Sequence, residues 1–132
     1  MHAIADTHAL VWYLMNDPRL SPAAKAAFTT AATHGQFVGI PAISIVEIIY
    51  LTEKERIPQA ALTSLQSQLN SQQTVLQVIP LDEAISFHVQ QINRTTVPEM
   101  PDRIIAATAL AYDLPLLSRD HKIQATGLQV IW

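Results

Sequence analysis

Asp6, Glu47, Asp102 and Asp120 are the residues with which this chain could do chemistry. The alternatives are few. There is no cysteine, and the five histidines, His2, His8, His34, His88 and His121, show neither HxH nor HExxH spacing. Thiol nucleophiles, iron–sulfur clusters and cysteine zinc sites are therefore excluded. No GxSxG elbow supports a serine nucleophile. The three glycines, Gly35, Gly39 and Gly127, lie too far apart to form a phosphate-cradling loop. What remains is a hard, all-oxygen donor set, suited to Mg²⁺ or Mn²⁺ rather than zinc.

The elements that must position these acids follow from the hydrophobic pattern. Strands are expected over Ala3–Asp6, Gln36–Pro41, Thr74–Leu81, Pro115–Ser118 and Leu128–Trp132. Helices are expected over His8–Met15, from Ser21-Pro22 to about Thr33, over Ser44–Glu53 and Pro58–Leu69, from Asp82 to about Asn93, over Asp102–Tyr112, and as a short turn over Asp120–Ala125. Alternating strands and helices imply an α/β fold, a parallel sheet with helices on both faces. Strand C-termini and helix N-termini then share one edge, where such folds bind ligands. Asp6, Glu47, Asp102 and Asp120 all fall on that edge. Asp113 and Asp17 fall away from it. Asp82 and Glu83 follow strand three, so the strand order decides whether they are near or far.

A plainer reading competes with this one. Aspartate is among the best helix caps, so Asp82, Asp102 and Asp120 can each be caps alone, and Ser44–Glu47 matches a capping box. Against it, Glu47 lies inside Ile43–Leu51, apolar nearly all round and so expected to be buried, and Asp6 closes an apolar strand. A buried acid needs a cation or becomes neutral. Carboxylates about 6 Å apart at an effective dielectric near 20 repel by about 3 kcal/mol per pair, which a divalent ion offsets. His8, two residues after Asp6, can reach the site edge but reads as a structural or surface residue, as does His121.

Composition bounds the rest. At 132 residues, 49% apolar and 14% charged, the chain reads as a single domain over 1–132 with a core of its own. A net charge of −3 counts against a simple nucleic-acid binder, although bound cations would reverse the sign locally. No membrane-spanning stretch is expected, and no secretory leader, since the first basic residue is Arg19. The expected location is cytoplasmic.

Four segments together resemble the motifs of PIN-domain ribonucleases, in particular the toxins of VapBC toxin–antitoxin pairs. They are Ala5–Trp12, Ile43–Ile48, Pro101–Ala109 and Leu116–Ile123, in the family's order across essentially the whole chain. The resemblance implies a PIN-like three-layer α/β/α fold whose central five-stranded parallel sheet runs 3-2-1-4-5, which sets Asp82 and Glu83 at the margin. It implies that Asp6, Glu47, Asp102 and Asp120 form the catalytic, metal-binding cluster, with Thr7 and Ser118 as the neighbouring hydroxyls. Glu99 occupies a position that is often acidic in such toxins.

The mechanism this implies is Mg²⁺- or Mn²⁺-assisted hydrolysis of RNA phosphodiesters, leaving 5′-phosphate and 3′-hydroxyl ends. Arg103, Arg119 and Lys122 are the candidate contacts to RNA phosphates. The implied partners are RNA and a cognate antitoxin. The very apolar helices at His8–Met15 and Ile43–Leu51 suggest a surface patch for that antitoxin or for a homodimer. A non-toxin RNA-processing nuclease and a non-catalytic acidic binding module remain as alternatives. A receiver-type phosphoacceptor fits poorly, because no second acid follows strand one and no lysine stands near strand five.

Overall fold

Short apolar runs become the strands of a single parallel sheet. The computed structural model describes residues 1–132. β1 (Ala3–Ala5) and β2 (Val38–Pro41) are buried along their whole length, as strands covered on both faces must be. β3 (Leu76–Ile79) exposes its middle and lies at the margin. β4 (Leu116–Leu117) and β5 (Val130–Ile131) complete the order β3-β2-β1-β4-β5, with every pairing parallel. The expected order 3-2-1-4-5 is the observed one, and each strand is shorter than the apolar run that announced it. Gly39, in the middle of β2, leaves the space that the side-chain ends of Ile4, Ile79 and Met1 occupy, so a Cβ there would collide with them.

Two apolar layers sandwich the sheet. On one face lie α1 (Thr7–Leu14), α2 (Pro22–Thr33), α3 (Ala42–Glu53) and α4 (Gln59–Asn70), around Leu10, Trp12, Phe28, Ile48 and Leu65. On the other lie α5 (Glu83–His88), α6 (Met100–Tyr112) and α7 (His121–Gln124), around Ile85, Ile105, Ala106 and Ile123. No helix is long and apolar enough to cross a membrane.

Three expectations need correction. First, α6 starts at Met100 rather than Asp102. Pro101 fits its first turn, where a missing N–H costs nothing, and Asp102 is therefore a first-turn residue and not a cap. Second, α3 starts at Ala42 with no side-chain cap, so Ser44–Glu47 is not a capping box; Ser44 is fully buried within the helix. Third, α3 is not buried all round: Val46, Ile49 and Tyr50 face solvent, while most of the apolar α1 is internal. The surface patch anticipated on both helices is thus mainly a property of α3.

Candidate active site

The C-terminal edge of the sheet carries a cavity of about 250 Å³ lined by Asp6, Glu47, Asp102 and Asp120, together with Thr7, His8, Trp12 and Arg119. Each acid arrives on a different segment. Asp6 follows β1 and caps α1, its Oδ1 accepting from the Ala9 N–H at 2.9 Å. Glu47 stands one turn into α3, Asp102 in the first turn of α6, and Asp120 follows β4 to cap α7, accepting from the Lys122 N–H at 2.8 Å. Asp6 and Asp120 thus cap helices and line the cavity at once, so the plain and the chemical readings coexist. The marginal position of β3 removes the last two acids. Asp82 caps α5 through the Ile85 N–H, and neither it nor Glu83 lines the cavity.

Hydroxyls fix the geometry of the acids. The buried Thr7 Oγ1 lies 2.6 Å from Glu47 Oε1 and 3.1 Å from Ser44 Oγ. One hydroxyl carries one proton. The short, charge-assisted contact takes it, so Thr7 donates to Glu47 and Ser44 completes the relay by donating to Thr7. Ser118, fully buried, accepts from the Asp120 N–H at 3.1 Å, and its hydroxyl also favours the charged form of Asp6. Burial nonetheless raises the Asp6 pKa, opposed by Ser118, the Ala9 N–H and the nearby His8.

Crowding shows most clearly at Asp102. Its pKa is pushed up to about 6, first by burial and then by the charges of Glu47, Asp120, Glu99 and Asp6. A carboxylate whose pKa is raised in the folded protein holds its proton more tightly there than when unfolded. Stability is therefore lost as pH rises, beginning near the ordinary value of 3.8 and complete above about 6. Asp102→Asn removes this penalty. In chelator, the variant should exceed the wild type in urea-melt stability by about 1 kcal/mol at about pH 7.5, after allowing for solvent screening. The gap should shrink towards zero near about pH 4. A gap that stays constant with pH would mean that the carboxylates do not crowd Asp102.

The donor set fits a hard divalent cation: four carboxylates outnumber the one imidazole, His8, no sulfur is present, and their mutual repulsion is one that a cation would relieve. The carboxylates do not yet close on one point, for no three of them form a ready-made cage. Like charges hold apart, and Glu47 is turned to Thr7.

The candidate cations are distributed unevenly. Arg119 lines the cavity, its guanidinium carbon 4.6 Å from the Trp12 ring centre. Arg103 does not reach it: its Nε and Nη2 donate to the backbone carbonyls of Val89 and Ile92 at 2.9–3.2 Å, tying the 3-10 turn Val89–Gln91 that follows α5 to α6. Lys122 turns to Glu99, 3.6 Å away, and neither lines the cavity. Trp12 and His8 are residues that the sequence reading missed as a pair. Their four-residue spacing places both on one face of α1, beginning beside Asp6, and the rings lie 5.7 Å apart.

Comparison with known proteins agrees with this architecture. The profile of the PIN domain family matches residues 3–128. Ribonuclease VapC22 of Mycobacterium tuberculosis is 26% identical over 122 residues, 92% of this chain and 89% of that protein. Among solved structures, VapBC2 from Rickettsia felis bound to a promoter DNA fragment superposes with a TM-score of 0.71 at 17% identity, over 98% of this chain and 96% of that one. FitAcB from Neisseria gonorrhoeae gives 0.65 at 19% identity, over 97% and 95%. A toxin–antitoxin complex from Klebsiella pneumoniae gives 0.63 at 18%, over 98% and 96%.

Proposed function

The chain belongs to the PIN domain family, and from that premise we propose that it is a Mg²⁺-dependent endoribonuclease acting as the toxin of a type II toxin–antitoxin pair. Residues 1–132 form one domain in this reading, working in the cytoplasm on RNA, as a homodimer and under the control of a cognate antitoxin. The observation that carries it is the gathering of Asp6, Glu47, Asp102 and Asp120 from four segments into one cavity. The likeness to Ribonuclease VapC22, and to structures described as toxin–antitoxin complexes, supports the toxin reading over a processing nuclease.

Asp6 and Asp102 are the principal metal ligands, with Glu47 and Asp120 completing the set. When bound, Mg²⁺ or Mn²⁺ lowers the pKa of water, polarises the phosphoryl oxygen and stabilises the leaving oxygen. The chain's own groups do the rest. The Ala9 N–H holds one Asp6 oxygen and aims the carboxylate along the edge. Thr7 occupies Glu47 Oε1, which leaves Oε2 either to join the ligand set or to take a proton from the attacking water as general base. Ser118 and Thr7, both buried, hydrogen-bond the acidic residues beside them. No side chain has to become covalently attached to substrate.

Purified protein incubated with structured RNA should cleave in Mg²⁺ or Mn²⁺, stop in EDTA, and resume when the cation is restored in excess. Cleavage indifferent to EDTA would overturn the metal mechanism. Binding of RNA without cleavage in any divalent ion would leave a non-catalytic module.

A further inference from the structure

We propose that Arg119 is a phosphate-positioning residue, its guanidinium held on the Trp12 ring at the rim of the carboxylate cavity so that its N–H edge receives a phosphodiester of the RNA backbone. This rests on the ribonuclease reading above and deepens it, by separating one cation from the other candidates and by giving Trp12 a task.

The starting observation is an ion pair that does not form. Arg119 lines the same cavity as four carboxylates and is adjacent in sequence to one of them, yet it bonds to none; the protein's two ion pairs are Arg19–Asp17 and Lys122–Glu99. A guanidinium next to carboxylates ordinarily takes one in a two-point grip. Here the ring of Trp12 holds it instead, at 4.6 Å. Trp12 is only 5% exposed and is packed against Trp132, with ring centres 5.6 Å apart, so the platform is fixed. A stacked guanidinium keeps its planar N–H edge free, and that edge matches the oxygens of a phosphate.

The neighbouring cations are already engaged. Arg19 also lies on Trp12, at 5.3 Å, but its Nε and Nη2 hold Asp17 at 3.1 and 2.8 Å. Arg103 holds backbone carbonyls, and Lys122 faces Glu99. Arg119 alone keeps its donors open beside the acids.

An acidic cavity poses a problem for a polyanionic substrate. A cation that paired with the carboxylates would neutralise the ligand set and be lost to the substrate. A cation held a short way off, by an aromatic face that makes no demand on its hydrogen bonds, serves the substrate and spares the acids.

The test compares Arg119→Ala, Arg119→Lys and Trp12→Phe with wild type in Mg²⁺. Lys25→Ala removes one positive charge from α2, outside the cavity, as a control. Arg119→Ala should lower kcat/KM by about 30-fold, with most of the loss in KM, as expected for a charge-assisted contact. Arg119→Lys should recover only a small part, because a point charge does not reproduce the fork. Trp12→Phe keeps an apolar ring but a weaker cation platform, and should raise KM several-fold; Lys25→Ala should match wild type. RNA affinity, measured by anisotropy in EDTA across a salt series, should show a log–log slope shallower by about 0.7 for Arg119→Ala. In the metal-free binding measurement, a single methylphosphonate at the cleaved linkage should weaken wild-type affinity and leave that of Arg119→Ala nearly unchanged. An unchanged KM and salt slope in Arg119→Ala, with wild type cleaving normally, would overturn the proposal and leave the nuclease reading standing. Absence of cleavage by wild type itself would instead overturn the reading beneath it.

Discussion

Asp6→Asn and Asp102→Asn should each lower RNA cleavage by more than ~100-fold, beyond the ~10–100-fold typical of groups that merely orient metal ligands. Both variants should remain folded. Asparagine still caps α1 through its side-chain oxygen, so the bond from the Ala9 N–H survives at position 6. At position 102 the substitution removes one of several crowded like charges, and stability should rise. The control is Asp113→Asn. Asp113 ends α6 on the opposite edge with φ 52 and ψ 48, a left-handed conformation that asparagine adopts at least as readily. It should leave both activity and melting temperature near wild type. Equal inactivation by Asp113→Asn and Asp6→Asn would refute the assignment of the acidic edge as the site.

Expression of the chain alone in a bacterium should arrest growth, and a cognate antitoxin should relieve the arrest. The acid-lined cavity is open to solvent, and one flank of it is apolar: Ile43, Val46, Tyr50, Leu51 and Met100 line a second cavity that shares Glu47 with the first. An antitoxin segment that covers the exposed Val46, Ile49 and Tyr50 gains hydrophobic burial. By extending an arginine among the carboxylates it would displace the metal with charge-assisted hydrogen bonds. Wild type and Asp6→Asn, induced to matched protein levels, separate the causes. Colony formation should collapse for the first and persist for the second. Equal toxicity would trace the arrest to overexpression, and harmlessness of both would favour a processing nuclease or a binding module.

The placing of the acids was legible because it depends on topology alone. Once strands and helices alternate, Asp6 and Asp120 must follow parallel strands, and Asp113 must fall at the far end of a helix, whatever the packing. The strand order came from the family resemblance, and only that order moved Asp82 to the margin. Side-chain commitments were not legible. Arg103 looked like a phosphate contact because it adjoins Asp102, but carbonyls 11 and 14 residues away claim it. Ser44 and Glu47 looked like a capping box because their spacing fits one. Pro41 moved the start of α3 earlier, and Ser44 was left to bond across to Thr7, 37 residues back in the chain. The apolar α3 looked wholly buried because composition does not say how much neighbouring surface exists to cover it.

The cavity lies on the seam between the two apolar layers. Asp6 and Glu47 are carried by α1 and α3, packed into one layer, whereas Asp102 and Asp120 belong to α6 and α7 in the other. Each layer thus supplies half of a site that neither can make alone. Local opening of either layer would take two carboxylates out of reach, so a cation held by all four, as proposed above, would add its binding free energy to the cost of opening both. At a free cation concentration about 100-fold above Kd, this linkage amounts to about 2.7 kcal/mol. Amide hydrogens in the two layers, on opposite sides of the sheet and meeting where α3 packs against α6, would gain protection together. In that sense the proposed site would be a fastening as well as a reaction centre.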